Sequence, residues 1–201
     1  MTGAAIALTA GSCGIGWLLS SLPPLSLTGR ARLRCFVACV AVNLWVCVAD
    51  CLRGETVSDH IGRLILANLL TVMSATDLKE KAVYDVHAWA FVGAGIFAAF
   101  FRLGAAFWTR TLFSAAIYGV LWLIARKKAG VGMADLRIIA ALALWFPASE
   151  WMEAIFLALS LALVCGAAML ALKRGTLETE LSFIPFLLTG VLLEIALRGA
   201  H

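Results

Sequence analysis

Two aspartates stand where a charge is costly. Asp77 lies in SATDLKEKAVYD, closing one apolar run, and Asp135 lies in GVGMADLRII, opening another. Two carboxylates brought within a few ångströms in a partly dry site cannot both ionise easily, so one keeps its proton near neutral pH. Such a pair can activate water, and its titration belongs to the pair rather than to either acid. Each residue alone has a plainer reading: Asp135 as a helix N-cap accepting unpaired amides, and Asp77 as a solvated loop acid. Their shared placement sets them apart, because both lie at the junction of an apolar segment and a basic loop. Gly130 and Gly132 precede Asp135, and glycine permits both close approach and conformations that other residues resist.

The elements that must position these acids are membrane helices. Of the 201 residues, 63% are hydrophobic and 14% charged, a surface no ordinary soluble domain of this length carries. Long apolar runs without period-two alternation select helices over barrel strands. The sequence predicts an all-α polytopic bundle of about eight spans, at residues 2–22, 35–52, 61–76, 87–106, 111–125, 136–147, 150–172 and 182–198, with six to eight as the range. The sixth is short and reads as a half-buried helix opening a water-filled cavity. Residues 1–201 form one membrane domain, with no internal repeat and no loop long enough for a soluble unit. The N-terminus lacks a basic n-region and reads as a first span rather than a cleaved signal. Arg30, Arg32, Arg34, Lys79, Lys81, Arg126, Lys127, Lys128, Arg137, Lys173 and Arg174 gather on alternate loops, so the loops with Asp77 and Asp135 are expected to face the cytoplasm and both termini outward. The seven tryptophans fall mostly near span ends, as interfacial anchors do. The net charge of +4 is explained by these loops, and nucleic-acid binding is excluded as a reading.

The motifs resemble those of the type IV prepilin peptidases and their preflagellin relatives, membrane aspartyl proteases of the GxGD type. The first motif of that family, an aspartate followed eight residues later by Asp or Asn, reads here Asp77-Leu-Lys-Glu-Lys-Ala-Val-Tyr-Asp85. The second, GxGxGDxK, reads Gly130-Val-Gly132-Met-Ala134-Asp135-Leu-Arg137. IPFLLTG at 184–190 is a weaker third echo. The resemblance implies a bacterial or archaeal cytoplasmic-membrane endopeptidase with Asp77 and Asp135 as its dyad. Asp85, Gly130, Gly132, Ala134, Arg137 and Lys79 are then supporting residues. The implied partners are membrane lipid and a pilin-like precursor with a basic leader and a hydrophobic helix; no metal or other cofactor is called for. The chain departs from the pattern at Tyr84, where proline is usual, at Ala134, where glycine is usual, and at Arg137, where lysine is common. Tyr84-Asp85 also resembles the Tyr-Asp pair of presenilin-like proteases, which makes Asp85 the alternative first acid. The larger prepilin peptidases carry a Cys-x-x-Cys domain between their first two spans; residues 23–34 hold none, so cleavage without N-methylation is expected.

Other chemistry-bearing residues have structural readings. Cys35, Cys39, Cys47 and Cys51 recur at multiples of four, but at ~1.5 Å per residue the outer two stand ~24 Å apart and cannot share one ion, so packing is the reading. Glu194, inside the last apolar run, must face the bundle interior, and Asn43, Asn68 or an arginine could pair with it. His87 reads as packing or anchoring. Ser12 lacks a histidine partner and His60 falls on the outer side, which argues against a serine protease. Two rival functions stay open at this stage. One is a small ion- or proton-coupled transporter using Asp77, Asp135 and Glu194, and the other is a non-catalytic assembly protein of the same fold.

Overall fold

The computed structural model describes residues 9, 11–12, 29–53, 56–126, 132–173 and 181–197. Among them are seven helices and no strand: α1 (Gly29–Arg53), α2 (Val57–Glu80), α3 (Asp85–Leu103), α4 (Ala106–Ala125), α5 (Met133–Trp145), α6 (Ala148–Ala171) and α7 (Ile184–Leu197). Five of these, α1 to α4 and α6, are long and apolar enough to cross a membrane. The eight-span expectation is therefore reduced to five spans and two shorter helices among the described residues. The expected first span, 2–22, lies outside them except for Thr9, Gly11 and Ser12.

Several boundaries move for local reasons. Helix α1 begins at Gly29, so the basic residues Arg30, Arg32 and Arg34 belong to its first turns and not to a loop. Helix α2 runs from 57 to 80 where 61–76 was expected, because Thr56 caps it by accepting the Asp59 amide at 3.2 Å and its polar last turn stays helical until Lys81 turns left-handed at φ 49°. Asp77 consequently sits within the last turn of a helix and not beyond its end. Helix α5 stops at Trp145 because Phe146 precedes Pro147 and is driven to an extended conformation, φ −122° and ψ 151°.

Helix α5 is the hub. From Ala140 to Trp145 every residue is buried, as expected of a helix apolar on all sides. It packs against α3 and α4, with lesser contacts to α2 and α6. Polar side chains pin it: Ser114 Oγ donates to Ala140 O at 2.8 Å and Trp151 Nε1 to Ile139 O at 2.8 Å. At 13 residues it measures about 20 Å, too short to cross a hydrocarbon layer about 30 Å thick. Helix α7 is held by α6 and α2 through small residues: Gly190 lies so close to α6 that a Cβ there would come within 2.4 Å of Ala154 O and 2.8 Å of Ala158 N. Small side chains let membrane helices approach in this way.

The remaining polar groups are largely paired within the bundle. Asn43 and Asn68 hydrogen-bond to each other in both directions, at 3.1 and 3.2 Å, and Glu194 is buried in α7. Cys35 and Cys39 are buried against Val72, while Cys51 is exposed, so the stripe does not converge. Trp89 and Trp108 are exposed near helix ends, but Trp145 is core and packs on Phe91.

Candidate active site

The C-terminal end of α2 and the N-terminal ends of α3, α5 and α7 meet at one end of the bundle, and they carry the motif residues. Asp77 is buried, 6% exposed. Its Oδ2 accepts the backbone N–H of Ile184 at 3.1 Å, and its carbonyl accepts Ser182 Oγ at 2.9 Å. Asp77 therefore satisfies an amide at the start of α7, one of the donors a helix leaves unpaired. The partial positive charge of that terminus complements a carboxylate. Pro185 follows in the first turn, where its missing N–H costs nothing. The echo IPFLLTG is thus the segment that grips Asp77, although its part in holding the acid was not legible beforehand.

Asp135 occupies the first turn of α5, outside the five membrane-crossing helices, and is half-buried. Burial, and then the negative charge of Asp77, push its carboxyl up to about 6. The two acids therefore interact through space, though no direct hydrogen bond joins them among the described residues. Asp135 is not the N-cap of its helix; Gly132 is. With φ −64°, Gly132 uses none of glycine's conformational freedom, but a Cβ there would stand 3.0 Å from Asp135 Oδ2. Glycine at 132 supplies room for the carboxylate to fold back. Gly130 lies outside the described residues.

The supporting residues separate into two groups. Asp85, the first residue of α3, pairs with Arg137 of α5, and the Arg137 guanidinium lies 5.0 Å from the Trp89 ring centroid. Tyr118 of α4 also hydrogen-bonds Arg137. The second acid of one motif is so tied to the basic residue of the other, stitching α3, α4 and α5 together beside Asp135. Lys79 instead pairs with Glu80 at 3.2 Å, on the surface.

Both departures from the expected pattern are accommodated locally. Tyr84 has φ −69°, the value a proline would hold, and its hydroxyl donates to Glu80. Ala134 is helical and packs against the core, so glycine's freedom is not required there. His87 stacks edge-on with Tyr84, ring centroids 5.7 Å apart.

A helical membrane bundle with two interacting carboxylates at one end defines a narrow class. The family description that matches this chain is the type IV leader peptidase family, over residues 64–171, and the chain belongs to that family. It is accordingly a multi-pass membrane protein of a peptidase family. No curated protein and no solved structure matches it.

Proposed function

We propose that this chain is an aspartic endopeptidase that removes the short basic leader of pilin-like precursors at the cytoplasmic face of a bacterial or archaeal inner membrane, without N-methylating the product. The observation that carries the reading is the convergence of both motifs at one end of the bundle, where burial first and the charge of Asp77 second raise Asp135 to about 6. Their environments differ, and so do their roles. Asp77, facing the α7 amide, is the base; Asp135, holding its proton more tightly, is the acid.

The chemistry follows. Asp77 takes a proton from water as its oxygen adds to the scissile carbonyl carbon, while Asp135 donates a hydrogen bond to the carbonyl oxygen. Proton transfer from Asp77 to the leaving nitrogen then lets the C–N bond break, giving a carboxylic acid and an amine with no covalent intermediate. A pilin-like substrate must offer unwound backbone just outside its own apolar helix, and the end of this bundle is the depth at which such a segment arrives. Asp85 paired to Arg137 and largely exposed fits a supporting role better than that of first acid. A transporter needs acids at mid-membrane depth, whereas this pair lies at helix ends.

The test is cleavage of a co-expressed pilin-like precursor, read as a gel shift, by wild type and by Asp77→Asn, Asp135→Asn and Asp85→Asn at matched abundance. Asp77→Asn and Asp135→Asn are expected to abolish processing and Asp85→Asn to retain some. Processing that survives Asp77→Asn but not Asp85→Asn transfers the base to Asp85.

A further inference from the structure

Helices α3 and α4 follow one another in the chain, joined by a turn at Gly104, yet they touch each other far less than each touches α5. The hairpin is splayed, and α5 floors the gap. There the chain leaves a groove of about 170 Å³, walled by Trp89 and Ile96 of α3 and by Ala115 and Tyr118 of α4, over Ala140 and Ala141 of α5. On each helix its outermost wall residues are seven positions apart, so the groove runs along the bundle for two helical turns, ~10 Å.

Nothing in the groove calls for a polar guest. Thr111 Oγ1 donates to Phe107 O at 2.9 Å, Ser114 Oγ to Ala140 O at 2.8 Å, and Tyr118 is engaged with Arg137, so the hydroxyls of its walls are already used. What is left to a ligand is the surface of apolar side chains. A cavity of about 150 Å³ holds one benzene-sized molecule, so this groove takes one or two side chains and not a backbone. Its rim has room for the rest of a helix. Of the residues of α4 only Ser114 is buried, Ala115 is exposed, and a Cβ added at Gly93 or Gly119, each one helical turn from a wall residue, would meet nothing within 4 Å. Small residues let membrane helices approach closely. The groove is also continuous with the candidate active site. Arg137 closes one end, tied to Asp85 and set against Trp89, and it stands two residues along α5 from Asp135. An apolar helix lying in the groove therefore ends where the two acids begin.

We propose that this groove receives the apolar helix of the substrate, whose side chains insert between α3 and α4 and so bring the segment to be cut up to Asp77 and Asp135. The inference rests on the proposed reading of the chain as a peptidase of pilin-like precursors, and it adds where the substrate lies. A helix laid in an apolar groove inserts side chains three, four and seven residues apart, which matches two turns of wall. Ala115 is then a specificity-determining residue, because its small side chain keeps the groove open. Arg137, bound to Asp85 of α3 and to Tyr118 of α4, holds the width of the mouth.

The experiment uses the whole chain in proteoliposomes with a pilin-like precursor. A photoreactive benzophenone amino acid replaces Ala115 or, as the control, Leu163, an exposed residue of α6, in the Asp135→Asn chain so that the precursor stays uncut. Cleavage kinetics are measured for wild type, Ala115→Trp and Leu163→Trp. Irradiation is expected to join the apolar helix of the precursor to position 115 and not to 163. Ala115→Trp is expected to raise KM at least tenfold with a smaller effect on kcat, while Leu163→Trp cleaves as wild type does. If wild type cleaves the precursor but position 115 captures only lipid and Ala115→Trp keeps its KM, the groove holds an acyl chain; the proposal is then overturned and the peptidase reading stands. If wild type cleaves no precursor, the peptidase reading falls and the cross-link alone decides. Capture of the precursor at 115 and not at 163 keeps the groove as its docking site; equal capture, or none, overturns it. Should Ala115→Trp fail to fold, Ala115→Leu takes its place, and an unchanged KM there overturns the proposal.

Discussion

Removing the charge of Asp77 should change how tightly Asp135 holds its proton, by an amount the structure bounds. Asp135 stands at about 6 against an ordinary 3.8, a difference of about two pH units or roughly 3 kcal/mol between its protonation states. Burial is the larger cause and Asp77 the smaller, so Asp77 accounts for less than half. Asp77→Asn should therefore lower the Asp135 midpoint by less than about one pH unit, leaving most of the elevation in place. Asp85→Asn should leave it unmoved, because that carboxylate is exposed and neutralised by Arg137. Infrared detection of the protonated carboxyl, with Asp135→Asn to identify the band, follows the titration directly. A midpoint that does not move in Asp77→Asn means that the two acids are not coupled; a fall all the way to an ordinary aspartate means that burial does not dominate. Either result refutes the reasoning.

Further outcomes follow from the same geometry. If Asp135 must be protonated, kcat/KM for precursor cleavage should fall above about pH 6, approaching tenfold per pH unit. Between about pH 4 and 6 the folded chain binds more protons at Asp135 than the unfolded chain does, so stability falls as pH rises through that window, by up to about 3 kcal/mol; Asp135→Asn should melt higher than wild type at pH 7 while being inactive. Gly190→Ala should destabilise the chain by about 1–3 kcal/mol, measured by thermal melting, because its methyl would overlap Ala154 O and Ala158 N. Gly132→Ala should instead lower cleavage with little change in melting, since it crowds the flexible Asp135 carboxylate. Tyr84→Pro should keep both fold and activity, as residue 84 already holds a proline-like φ.

The helical class and the end of the bundle where the motifs gather could be read from residues 77, 85 and 135, because membrane helices advertise themselves by apolar length. The ends of those helices could not. Ser58, Asp59 and most of Asp77–Glu80 are polar, and hydropathy discards them, yet the threonine cap starts the helix before the apolar run and its polar last turn stays helical. The pairing of Asp85 with Arg137 was invisible for another reason: it joins positions 52 residues apart, a contact set by packing of α3 on α5 rather than by any local pattern. Of the two properties that glycine offers at 132, close approach and conformational freedom, the structure uses the first and not the second.

The bond from Ile184 to Asp77 joins residues 107 positions apart, and it sets the order in which the site can come into being. A chain emerging from a ribosome completes α2 and α5 long before α7 is made. Until α7 is inserted and locked to α6 at Gly190, Asp77 lacks the amide that orients it. On the proposed mechanism the protein carries its own delay: an unfinished copy holds both acids and yet has no settled pair, so hydrolysis waits until α7 is in place.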